Sequence, residues 1–132
     1  MADLSKLVPA ETTRIKIKDP ITDEIVLCDD GSEMYIDVYG SDSKQHRKIV
    51  ADIARKKSKK NAKNLTIEEL DEILLEQSAK SIVDWNIQFG KDKVKFTYEK
   101  AVEILTALKW LREQVADAVQ DRSLFLESQP SD

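Results

Sequence analysis

The chain has 132 residues, of which 41% are hydrophobic, 35% are charged and only three each are glycine and proline. That length gives one small domain with a modest core, and so few turn-formers disfavour a many-stranded sandwich or barrel. The net charge of −4 is uneven: residues 44–63 hold nine Lys and Arg against Asp52 alone, so this window carries +8 and leaves −12 for the rest. One cysteine, Cys28, excludes an internal disulfide and suits a reducing compartment. No apolar run approaches the length of a membrane span and the first residues carry no apolar signal core, so a soluble cytoplasmic protein is expected.

Residues 1–12 show little periodicity and are expected to form a flexible lead into a single α+β domain at 13–126. The strands are expected within 13–39. Residues 14–18 alternate, with Ile15 and Ile17 on one face, and Asp19-Pro20 starts a turn. Residues 24–28 (EIVLC) read as a second strand, Asp30-Gly31 as a turn and 33–39 as a third strand, together making hairpins or a three-stranded meander.

About three helices are expected to follow this antiparallel layer. The first spans 42–60, capped by Asp42 or Ser43, with Gln45 placed as a capping-box partner of Asp42 and a narrow stripe of Ile49, Val50, Ile53 and Ala54. The second spans 66–81, where Thr66 and Glu69 form a capping box and Leu70, Ile73 and Leu74 share a face. Its acidic first turn suits the positive end of the helix dipole. Residues 82–89 are ambiguous: Ile82, Val83, Trp85, Ile87 and Phe89 are apolar with the odd positions alternating as in a strand, but the preceding helix could also continue as far as Trp85. Gly90 marks a turn and 94–96 an extended piece. The third helix spans 97–121, capped by Thr97, with apolar residues at 101, 104, 105, 108, 111, 115, 118 and 119 in one unbroken stripe. Residues 127–132 form a polar tail, expected to be disordered.

Chemistry is sparse. His46 is the only histidine, which rules out a multi-histidine metal site or a triad needing several histidines within one chain, and its basic neighbours suggest a surface residue. Cys28 reads as a structural thiol, and Asp23, Glu24, Asp29 and Asp30 as turn residues without the oxygen-ligand spacing of a calcium loop. Three isolated glycines make no phosphate loop, so neither an enzyme nor a cofactor is expected. In the basic segment 55–63, Lys56, Lys57, Lys59 and Lys60 could face nucleic acid or an acidic protein, but no aromatic residue lies between 44 and 82. A solvated linker is the alternative. Trp110 lies off the main helical stripe, where it either packs on the strand layer or contacts a protein.

The order of Trp85, Gly90, Phe96-Thr97, residues 111–115 (LREQV), Asp121 and Phe125 resembles the tail assembly chaperones of long-tailed bacteriophages. Asp19-Pro20, Thr22, Gly31, Gly40 and Asp42-Ser43 before a basic helix are similar to that family's start, so the resemblance covers about residues 14–125. It implies a non-enzymatic protein of the infected cell's cytoplasm, absent from the finished virion. Such a protein would bind the tape measure protein and keep it soluble while tail tube subunits polymerise. It also implies a frameshift-extended form that recruits tube protein, the present chain being the shorter form. A long helical client suits helix-in-groove binding by several copies, hence a homo-oligomer, with Trp110, Leu108, Leu111, Val115, Trp85 and Leu74 as the expected contacts. A nucleic-acid-binding or regulatory domain using 55–63, or a structural tail or head-tail joining protein, are the alternatives.

Overall fold

A computed structural model describes residues 3–58 and 66–127. After a short 3₁₀ turn at Leu4–Leu7 come strands β1 (Thr12–Lys16) and β2 (Tyr35–Tyr39) and helices α1 (Lys44–Ser58) and α2 (Ile67–Lys80). Strands β3 (Ile82–Phe89) and β4 (Asp92–Val94) follow, and then helices α3 (Tyr98–Ala107), α4 (Lys109–Gln120) and α5 (Arg122–Glu127). The class is α+β: a four-stranded antiparallel sheet in the order β1-β2-β3-β4, with five α-helices among the described residues.

Alternation makes the sheet one-sided. On β2, Ile36 and Val38 are fully buried while Tyr35, Asp37 and Tyr39 are half-buried on the other face. The inner face joins Trp85 and Ile87 of β3 to Ala101, Ile104 and Leu105 of α3 and to Leu111, Val115 and Val119 of α4. Trp85 adds direction to this core: its indole N–H donates to the Val94 carbonyl at 2.8 Å, and its ring meets Phe96 edge-on at 5.1 Å. Such an aromatic pair contributes about 0.5–1.5 kcal/mol beyond its buried area. The outer face is polar. There Arg14 pairs with Asp37 at 2.8 Å and lies over the Tyr35 ring.

The strands are not confined to the N-terminal part of the chain, as the sequence suggested. Half of the sheet comes from β3 and β4, beyond the second helix. The ambiguity at 82–89 resolves as strand with an irregularity: Asp37 pairs with Asp84 but Val38 with Ile82, so Val83 is the extra residue. Residues 24–28 form no named strand. The Asp19 carboxylate accepts from the Ile21 and Thr22 N–H groups, and the Asp30 carboxylate from Ser32, making two tight turns. Between them the chain pairs only through isolated bridges, Lys18 with Ile25 and Leu27 with Glu33, while Val26 donates to the Ile17 carbonyl and accepts from the Met34 N–H.

The third expected helix is interrupted. Leu108 leaves helical geometry (φ −119°, ψ 81°), ending α3 through its N–H on the Ile104 carbonyl and opening α4 through its own carbonyl. Ser43 caps α1, its hydroxyl accepting from the His46 N–H at 3.0 Å, whereas Asp42 turns its carboxylate to Arg122 at 2.6 Å. The Thr66–Glu69 box and the Thr97 cap form as the sequence suggests. Of the expected lead, residues 3–12 carry the 3₁₀ turn, and the Ala10 N–H donates to the Phe125 carbonyl; residues 1–2 and 128–132 lie outside the described residues.

His46 is buried rather than a surface residue, with 6% of its area exposed, because α1 turns it onto α2, where its Nε2 lies 3.4 Å from the Gln77 amide nitrogen. Neutral imidazole can accept from that amide, and imidazolium cannot. Burial lowers the His46 pKa below its ordinary 6.5, against the opposing pull of Asp42. The unfolded chain therefore takes up a proton, as pH falls through 6.5, that the folded chain refuses. Stability from this group is full above pH 6.5 and declines below it. In urea titrations of the native chain and His46→Gln, the difference in unfolding free energy should shift against the native chain between pH 7.5 and 5.5; a constant difference would contradict this. Gly40 supplies a second test, since a Cβ there would sit 2.8 Å from the buried Phe125 ring. Gly40→Ala is expected to destabilise by about 1–3 kcal/mol through overpacking, read from the same titrations.

Candidate interaction surfaces

The expected contact residues separate into two groups. Leu111 is 2% exposed, Val115 0% and Trp85 6%, so these three are core residues and not the surface contacts the sequence suggested. Their side chains belong to the sheet–helix core, where Leu111 also lines a cleft beside Trp110. Leu74, Leu108 and Trp110 remain accessible to differing degrees.

Leu74 belongs to a groove between α2 and α4. Its volume is about 320 Å³; Leu74, Gln77 and Ser78 form one wall, Arg112 and Ala116 the other, and Val119 lines the groove between them. Towards the start of α2 the apolar stripe continues at helical spacing with Leu70 (47% exposed) and Ile67 (83%), beside Leu74 at 57%. Of this stripe the sequence pattern marks Leu70 and Leu74; Ile67 follows the Thr66 cap and reads from sequence as a helix start. A fixed ion pair marks the edge of the groove, with the Arg112 guanidinium 2.8 Å from Asp71. Hydrogen bonding to Arg112 holds the Asp71 carboxyl below the usual carboxylate range.

Trp110 and Leu108 are half-buried and pack against the core cluster from its edge. With Pro20 and Phe89 they line a cleft of about 220 Å³ whose inner wall includes Ile17 and Ile104. Trp110 packs against the core at the end of the strand layer and also lines this cleft.

The basic segment is only partly described. Lys56 is exposed and lies 3.3 Å from Glu76 of α2, and Arg55 pairs with Asp52. Lys57 lies in the last turn of α1, while Lys59 and Lys60 fall outside the described residues. Cys28 is buried and accepts weakly from the Asn86 amide at 3.8 Å. Among the described residues no cluster of His, Cys, Asp and Glu could hold a metal ion, and no helix is long and apolar enough to cross a membrane. The chain matches no protein-family model, no curated protein and no solved structure.

Surface and core leucines should respond oppositely to substitution. Leu74→Glu is expected to change unfolding free energy by less than about 1 kcal/mol, whereas Leu111→Ala should cost about 2–5 kcal/mol. Equal losses in chemical denaturation would place Leu74 in the core.

Proposed function

We propose that this chain is a non-enzymatic chaperone of the phage tail assembly type, holding a long amphipathic helix of the tape measure protein until the tail tube encloses it. The observation that carries this reading is the exposed stripe of Ile67, Leu70 and Leu74 beside the α2–α4 groove. Three apolar side chains at helical spacing on one exposed face offer a contiguous strip to an amphipathic partner. An amphipathic client could lay its apolar face along the stripe, with Asp71, Arg112 and Glu113 available to its polar margins. Several copies along one client would raise avidity without tighter single contacts, so self-association belongs to the proposal. The same reading places the protein in the host cytoplasm, outside the finished virion, with tube protein recruited by a frameshift-extended form.

Nucleic-acid binding through the basic segment is less favoured, because no aromatic residue lies between 44 and 82 to stack on bases. The test is co-expression with tape measure protein. The native chain should keep the client in the soluble fraction, and the double variant Leu70→Glu with Leu74→Glu should lose that effect while remaining folded. A client that stays aggregated with excess native chain, or is equally soluble with the folded double variant, would reject the proposal.

A further inference from the structure

The outer edge of β1 is an open hydrogen-bonding ladder of defined length. The Ile17 N–H donates to the Met34 carbonyl and the Gly40 N–H to the Glu11 carbonyl. With the register Thr13↔Val38 and Ile15↔Ile36, the odd-numbered residues therefore bond towards β2. In an antiparallel strand the even-numbered residues must then direct both their N–H and C=O groups away from it. Both ends of that outer edge are occupied in agreement with this parity. The Ala10 N–H donates to the Phe125 carbonyl at 3.1 Å. At the other end the Gln114 side chain of α4 imitates a strand residue, accepting from the Lys18 N–H at 3.2 Å and donating to the Lys18 carbonyl at 2.7 Å. Between these clamps the backbone groups of Thr12, Arg14 and Lys16 have no backbone partner among the described residues.

A groove of about 500 Å³ runs beside this edge. Ile15, Ala118 and Leu124 give it an apolar lining, Arg14 and Lys16 lie on its strand side, and Asp117 and Asp121 on its helix side. We propose that this edge takes an extended peptide segment of another protein as a fifth strand, with carboxylates alternating with apolar side chains. Strand geometry sets the alternation. Side chains on the polar face of an added strand would stand beside Arg14 and Lys16, where acids are favoured; those on the inner face would lie over Ile15, Ala118 and Leu124, where Asp117 and Asp121 disfavour further acids. A second copy is the poorer occupant, because β1 paired with another β1 would set Arg14 and Lys16 against the same cations. The Arg14–Asp37 and Lys16–Glu33 pairs are exposed and can be shared with an incoming carboxylate at little cost. This inference does not rest on the chaperone reading, since α2 and its stripe take no part in it.

The experiment titrates the full chain with a short synthetic peptide alternating glutamate and valine, following backbone amides by hydrogen exchange and NMR. The Thr12, Arg14 and Lys16 amides should become protected, and a lysine–valine peptide should bind more weakly. Lys16→Pro removes one outward N–H while leaving the β2 ladder intact, because that N–H does not bond β2. It should weaken binding about ten-fold relative to Lys16→Ala, roughly the net contribution of one hydrogen bond, since both variants lose the same charge and only the proline loses the N–H. Protection confined to other segments, or equal binding by folded Lys16→Pro and Lys16→Ala, overturns the proposal. So does concentration-dependent dimerisation of the free chain that Lys16→Pro abolishes, which would make a second copy the occupant. Should Lys16→Pro fail to fold, the protection pattern in the native chain still decides.

Discussion

The pairing of β2 with β3 holds the molecule together. Tyr35 lies opposite Asn86 and Ile36 opposite Trp85, so the ladder closes across the whole of α1 and α2. Closing so long a loop is entropically costly, and the pairing is sustained because both strands bury their inner faces in the same core. Ser81 forms the joint between α2 and the sheet. It is fully buried, donates its hydroxyl to the Gln77 carbonyl at 2.7 Å, and accepts from the Tyr39 N–H at 2.8 Å. The end of α2 is thereby fixed to the end of β2, and the groove between α2 and α4 inherits its geometry from that joint. At the other edge of the sheet, Phe125 packed on Gly40 ties α5 to the end of β2 and, through Ala10, to the chain leading into β1.

Much of this was legible in the residues, and the failures have physical causes. Alternation located β1 and β2, and the Thr66–Glu69 and Thr97 caps located the starts of α2 and α3. Residues 82–89 looked ambiguous because of the irregularity at Val83: Ile82 to Trp85 has the spacing of a helix, Trp85 to Ile87 that of a strand, and both pairs are buried. The break at Leu108 was invisible for the opposite reason. No glycine or proline marks it, and the apolar stripe continues across it, since α3 and α4 bury their faces in one core. Composition could not show that His46 lies under α2, because its neighbours Arg47 and Lys48 are exposed.

The candidate site was half legible for a related reason. Periodicity finds the apolar face of a helix but not which part of that face the fold covers. In α4 the stripe is consumed by the sheet, so Leu111 and Val115 are lost as contacts; in α2 part of it is left outside, so Leu70 and Leu74 remain. The outward edge of β1 is a property of backbone parity and of what lies beside the strand, and single-residue patterns carry no trace of it. Charge segregation along the chain is also less informative than it first appears. Part of the basic window is balanced locally by exposed ion pairs, each worth no more than about 1 kcal/mol.

In the proposed function α2 and α4 together form the surface for an amphipathic helix. Amide hydrogen exchange across the whole chain, with and without a helical fragment of tape measure protein, tests it most directly. Exchange should slow in α2 and α4, the two walls of the groove. Slowed exchange in α1 alone, with α2 and α4 unchanged, would contradict it.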